Sequence, residues 1–309
     1  MGSIKYAIVL LLVCIGMHVQ GQTKMSDSLL TADDGTRLFV KKSGNGPICI
    51  FIHGGPGAWS KSFEELKGKN LETNLSMVYY DERGCGRSEK SASGDYSLER
   101  MVKDIDLIRK HYGAKKVYLM SHSFGGILAF NYALKHPDHV KGLILANSTL
   151  NMGYSIESQI HYINSILKTD FTVPDSTSAS LMSKFFEAKK MLSQEDLNYK
   201  ILSDNKANIE LVDEIDSQNP GDFDFAKHVF SIDDYWQDYT PLTAQVKLPV
   251  LIITGKKDHS IGENHYLSFH FKNGKVRKIN GGHILYYENN QEFISSIFDF
   301  IKETKQNPS

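Results

Sequence analysis

Cysteine and tryptophan are scarce in this 309-residue chain, at three and two copies. Cys14 lies in the first apolar segment, so only Cys49 and Cys85 remain for the folded part. Two cysteines are not a disulfide framework, and no histidine or cysteine near Cys85 in sequence suggests a metal site. No metal and no cofactor is therefore expected. Cys49 reads as filling within a strand and Cys85 as a solvent-open loop residue. An excess of charge is missing too. The formal net charge is −1, with no basic run, which leaves no general attraction to nucleic acid or anionic lipid. The longest apolar run, residues 7–15, is too short to span a bilayer comfortably. Internal repeats are absent, which excludes repeat architectures.

What is present begins with a leader-like segment. Lys5 precedes the apolar run and Gly21 supplies a small residue after it. That order predicts a secretory signal over residues 1–21, a secreted or periplasmic protein and no membrane attachment after cleavage. A retained membrane anchor is the alternative.

Strand and helix patterns then alternate. Asp34-Gly35 reads as a hairpin turn. Buried strands are predicted at residues 47–52, 77–80, 117–120, 140–146, 248–254 and 276–279. Helices are predicted at 60–74, 98–112, 124–136, 262–271 and 293–302. The helix after Ser97 carries Leu98, Met101, Val102, Ile105, Ile108 and Tyr112 on one stripe, and Gly113 stops it. Apolar strands alternating with amphipathic helices imply an α/β fold, a mostly parallel sheet covered on both faces. The alternation fails over residues 151–245, which read as a helical cap inserted into a core of residues 22–150 and 246–309. The insert carries sixteen acidic residues against seven lysines, a net of −9. This is either a solvated surface or a negative canopy suited to cationic substrates.

Chemistry concentrates in three places. Ser121-His122-Ser123-Phe124-Gly125-Gly126 lies between a strand and a helix, the setting of a nucleophile elbow. Ser121 stands where glycine is commoner. A serine hydroxyl needs a base, and in chain order an acid and a histidine follow: Asp258 beyond one strand and His283 beyond the next. Both fall at the carboxyl edge of the sheet, as Ser123 does. Asp258 would hold the imidazole in one tautomer. His259, His122 and His53 are decoys by position. The third place is His53-Gly54-Gly55-Pro56-Gly57. The amides of Gly55 and Phe124 are the expected oxyanion donors, each typically worth about 3–4 kcal/mol in the barrier.

His53-Gly54-Gly55-Pro56-Gly57, then Asp81-Glu82-Arg83-Gly84-Cys85-Gly86-Arg87-Ser88, then the elbow resemble the proline iminopeptidase branch of the α/β-hydrolases. The resemblance covers about residues 35–150 and 245–300. It implies the α/β-hydrolase fold, the order Ser, acid, His, a helical cap, and structural roles for Asp81 and Arg83. It also implies that cap carboxylates hold the substrate amine. Candidates are Glu210, Glu214, Asp222 and Asp234, with Glu214 favoured by its distance along the chain. Phe223, Phe225, Phe230, Tyr235 and Trp236 line a pocket or form the cap's own core, with Trp236 the candidate substrate contact. The readings are an aminopeptidase releasing N-terminal proline or another small residue, an ester or lactone hydrolase with the same triad, and a non-enzymatic binding protein. The expected partner is a small peptide or ester.

Overall fold

The structure is a computed structural model, and it describes residues 27–172, 177–221 and 223–306. The predicted signal segment lies outside the described residues. No helix among the described residues is long and apolar enough to cross a membrane.

Eight strands form one sheet: β1 Ser28–Thr31, β2 Arg37–Ser43, β3 Ile48–Ile52, β4 Ser76–Tyr80, β5 Val117–Ser123, β6 Val140–Ser148, β7 Val250–Gly255 and β8 Gly274–Ile279. Their order is β1-β2-β4-β3-β5-β6-β7-β8. The first two strands enter antiparallel and the remaining pairs are parallel. The Asp34-Gly35 turn closes β1 on β2, with Gly35 at φ 88°. The sheet separates two apolar clusters. In β3, Ile50 and Ile52 join one and Cys49 and Phe51 the other. Alternate side chains point to opposite faces, so a strand buried on both sides must be apolar throughout. β8 breaks this rule, being exposed except at Ile279. Its lysines and arginine suit an edge strand.

Helix α1 is Ser60–Glu65, α2 is Leu98–His111 and α3 is Gly125–Lys135. Ser97 caps α2 by accepting the Arg100 amide at 3.2 Å. The helix expected over 60–74 is split. Lys67 turns left-handed at φ 71°, and Gly68 folds back against Phe63, where an added Cβ would meet the Phe63 carbonyl at 2.3 Å. The helix expected over 262–271 shrinks to a turn at His265–Ser268. Gly262, at φ 89°, is wedged against Ser158 and Tyr154. Cys85 is fully buried, not open to solvent, because its loop folds inward.

Between β6 and β7 the described residues hold only helices and turns: α4 Met152–Leu167, α5 Ser178–Gln194, α6 Lys206–Asp216 and α7 Asp224–His228. Asn151, Thr177 and Asn205 cap the first three through side-chain oxygens. Ile163, Ala188, Leu192 and Ile201 make a small cluster of their own. Ile156, Ile160, Leu181, Phe225 and Tyr235 instead join the large cluster of the sheet. The helical segment therefore shares its core with the sheet. After β8 come α8 Leu285–Glu288 and α9 Asn290–Gln306.

The loop after β4 is fixed by buried ion pairs. Arg83 is fully buried and grips both oxygens of Asp104, at 2.7 and 2.9 Å, while Nη1 donates to Asp34 at 2.7 Å. Asp81 accepts the Ser60 amide at 2.9 Å and Arg87 Nε at 2.7 Å, tying the loop to the start of α1. Removing one member of a buried pair strands the other's charge. Arg83→Met is expected to cost about 3–5 kcal/mol of stability, read from urea unfolding. A loss within experimental error would show that this network does not hold the loop.

Candidate active site

Ser123 ends β5 with a left-handed backbone, φ 53°. The turn into α3 brings backbones into close contact. A Cβ on Gly125 would lie 2.4 Å from the His53 carbonyl oxygen and 2.6 Å from that of Ile52. A Cβ on Gly126 would meet the Thr149 carbonyl oxygen at 2.6 Å. Glycine is required at both positions. Ser121 is accommodated, since its hydroxyl meets Ser148 Oγ at 2.9 Å.

Asp258 is fully buried. Both its oxygens stand 3.0 Å from His283 Nδ1. A carboxylate only accepts, so Nδ1 carries the proton and Nε2 is left as the basic nitrogen. The amides of Ser260 and Ile261 donate to Asp258 Oδ1 at 3.0 and 3.2 Å and fix the carboxylate. Ser123 and His283 line one small cavity together with Gly54, Gly55 and His122. Among the described residues the Ser123 hydroxyl makes no hydrogen bond, so its link to the imidazole is open in this geometry. Such links are often loose without substrate.

The amides of Gly55 and Phe124 form no backbone hydrogen bond among the described residues. Both residues line the larger cavity beside Ser123. Gly54 is pressed against Ser123, where an added Cβ would sit 2.8 Å from Ser123 Cβ.

Three residues have roles that the sequence did not signal. Asn147, at φ 43° at the end of β6, donates to the carbonyls of Gly282 and His283 at 2.9 and 2.8 Å and accepts the Gly255 amide at 2.8 Å. His122 Nε2 donates to the same His283 carbonyl at 2.9 Å. Burial first, then neighbouring His283, lowers the His122 imidazole to about 3, so it stays neutral and serves as a brace. His53 accepts the Glu82 amide at Nε2, 3.0 Å, and donates from Nδ1 to Gly54 O, 2.8 Å. It thereby ties the glycine loop to the loop after β4. No sequence pattern announces the long-range members of this set, which join loops far apart along the chain. His53, Glu82 and Cys85 come within ligand distance of one another. Both ring nitrogens of His53 are already engaged, so the cluster offers no free imidazole lone pair.

The larger cavity, about 660 Å³, lies between Ser123 and the helical segment, in the range of small-molecule sites. Met152, Ile156, Met182 and Phe185 give it apolar walls, and Glu210 and Asp213 face it from α6. Glu214 lies outside this lining and is exposed. Each residue turns about 100° around a helix, and the step past Asp213 carries Glu214 off the cavity side. Trp236 is outside as well, since its indole N–H donates to Phe230 O at 3.0 Å and its ring packs at the core margin. Phe230 does line the cavity. Phe225 and Tyr235 are fully buried against Phe124, Phe223 is exposed, and Asp234 is exposed away from the lining. Asp222 lies outside the described residues.

This fold and site define a hydrolase. Residues 47–290 match the model of the alpha/beta hydrolase fold family, and the chain belongs to that family. Within it, the chain resembles the proline iminopeptidase branch. It is 25% identical over 289 residues to the proline iminopeptidase of Saccharolobus solfataricus, covering 86% of this chain and 88% of that protein. It is 31% identical over 116 residues to the enzyme of that name from Thermoplasma volcanium, a match spanning 37% of this chain and 39% of that protein. A proline iminopeptidase-related protein of Thermus thermophilus superposes with TM-score 0.74 at 20% identity, over 90% of this chain and 98% of that one. Esterases also share the fold.

The close approach at the elbow is testable. Gly125→Ala is expected to cost about 1–3 kcal/mol, as overpacking does, because the atoms met are backbone. Gly153→Ala in α4, where the nearest contact is Asn151 Oδ1 at 3.4 Å, is expected to be neutral or to stabilise by about 0.5–1 kcal/mol. Urea midpoints of the two variants compare them directly.

Proposed function

We propose that the protein is a serine hydrolase acting as an aminopeptidase on short peptides, releasing an N-terminal proline or another small residue. The observation that carries this is the pairing of His283 with Asp258 in a cavity shared with Ser123 on its strained turn. Ser123 attacks the carbonyl while His283 Nε2 takes its proton, and the amides of Gly55 and Phe124 receive the oxyanion. Asp258 stabilises the imidazolium. His283 then protonates the leaving amine, and water attacks the acyl-enzyme with the same imidazole as base.

The peptide substrate is supported by the acidic wall of α6. Burial first, then the charges of Asp216 and Glu210, raise the Asp213 carboxyl above its usual range. A group crowded by like charges gains from a cation nearby, and the ammonium of an N-terminal residue supplies one. The likeness to proline iminopeptidases agrees with this. On the same reading the protein is exported, a view supported by the short apolar run after Lys5.

Ser123→Ala is expected to abolish labelling by a fluorophosphonate probe and to lower kcat by about 10⁴-fold or more. Labelling that persists in this variant would place the nucleophile elsewhere. The substrate class is checked with proline β-naphthylamide against p-nitrophenyl acetate. Doubly substituted Glu210→Gln, Asp213→Asn protein is expected to lose about tenfold in the ratio of the two kcat/KM values, through KM on the proline substrate. An unchanged ratio, or ester cleavage alone in the wild type, would favour an ester hydrolase.

A further inference from the structure

The cavity beside Ser123 is lined by charges of both signs, Lys206 on α6 itself among them. Glu210 and Asp213 present the negative side from α6, and Lys189 on α5 lines the same space. Lys206 also lines it but is paired with Asp196. Earlier on α5, Lys184 is paired with Glu187 at 2.6 Å. Lys189 differs. Among the described residues no carboxylate pairs with its ammonium and no hydrogen bond satisfies it. Burial alone lowers its pKa, and no acidic neighbour offsets the shift. Met182 and Phe185, on the same helix, add apolar wall to the same cavity.

A half-buried cation without a counter-ion raises the energy of the free protein, and an anionic ligand group recovers that cost. Resting on the aminopeptidase reading, we propose that Lys189 binds the free C-terminal carboxylate of the substrate, so that the enzyme selects short zwitterionic peptides over amidated or longer chains. The ammonium end meets Glu210 and Asp213, the carboxylate end meets Lys189, and the scissile carbonyl lies over Ser123 between them. Lys189 is a specificity residue and takes no part in bond-making.

The test compares prolyl-phenylalanine with its C-terminal amide, measuring kcat and KM for the wild type, Lys189→Met and Lys189→Arg. The wild type is expected to favour the free acid by about tenfold in kcat/KM, chiefly through KM. In Lys189→Met that ratio falls to about one, and in Lys189→Arg most of it survives. Met keeps the apolar stem, so packing loss alone would lower both substrates together. Equal kcat/KM for acid and amide in the wild type overturns the proposal, as does an equal loss on both in Lys189→Met. Should the Met variant fail to fold, the wild-type ratio and the Arg variant decide. Wild type that cleaves neither peptide overturns the aminopeptidase reading, and this proposal with it.

Discussion

The backbone twist at Ser123 is the constraint on which the site depends. A non-glycine residue in the left-handed region costs on the order of 1–3 kcal/mol and persists only where its surroundings over-determine it. Here they do. β5 lies between β3 and β6, its register with β6 shifts between His122 and Ser123, and the Ser123 carbonyl accepts the Thr149 amide at 3.0 Å. Gly54, Gly125 and Gly126 remove the side chains that would otherwise collide. Ser123 and the next residue, Phe124, both line the larger cavity. On the proposed reading, strain, donor and nucleophile thus come from one bend of the chain.

The second fixed point is the His283 loop, which is anchored by its main chain more than by its ring. Asn147 and His122 converge on the His283 carbonyl, and the His283 amide donates to Leu202 O at 2.8 Å. The Asp258 carboxylate then has only to orient a ring whose base is already placed. Leu202 follows the turn at Asn198–Ile201, which lies between α5 and α6. The helical segment therefore contacts the histidine loop directly, and a shift of that segment would be felt at His283.

Much of this was legible in the sequence. Two-sided burial forces near-continuous apolar strands, and these marked β3 to β7. A strand-to-helix turn with paired glycines marked the elbow. Chain order at strand ends singled out Ser123, Asp258 and His283, of which the structure pairs the last two and sets the first in a shared cavity with His283. The segment between β6 and β7 was less legible. Helical periodicity shows that Ile209, Val212 and Ile215 are buried, but not which exposed side of α6 faces the cavity. Distance along the chain pointed to Glu214, whereas α6 turns Glu210 and Asp213 to the cavity. Likewise Trp236, a large aromatic that suits a pocket on composition, is held at the core margin by its bond to Phe230. Where contacts alone decide, as for Asn147 and His53, composition carries no signal.

The acidity of the helical segment looks different once the cavity is resolved. Its net charge of −9 suggests a uniform negative canopy. Part of that charge is already engaged by other groups, in one case at the cavity wall itself. Asp216 accepts Trp59 Nε1 at 2.7 Å, Asp204 pairs with Lys257 at 2.7 Å, and Asp196 pairs with Lys206. What remains facing the cavity is a short acidic wall and, apart from it, the unpartnered Lys189. A net count treats these as nearly cancelling. Locally they do not, because charges fixed at different points of a cavity wall act on a ligand at different distances. Separated opposite charges make a field with a direction, and a field with a direction orients a dipolar ligand as well as attracting it. On the proposed aminopeptidase reading orientation is what the site requires, since a peptide bound end for end would present Ser123 with the wrong carbonyl.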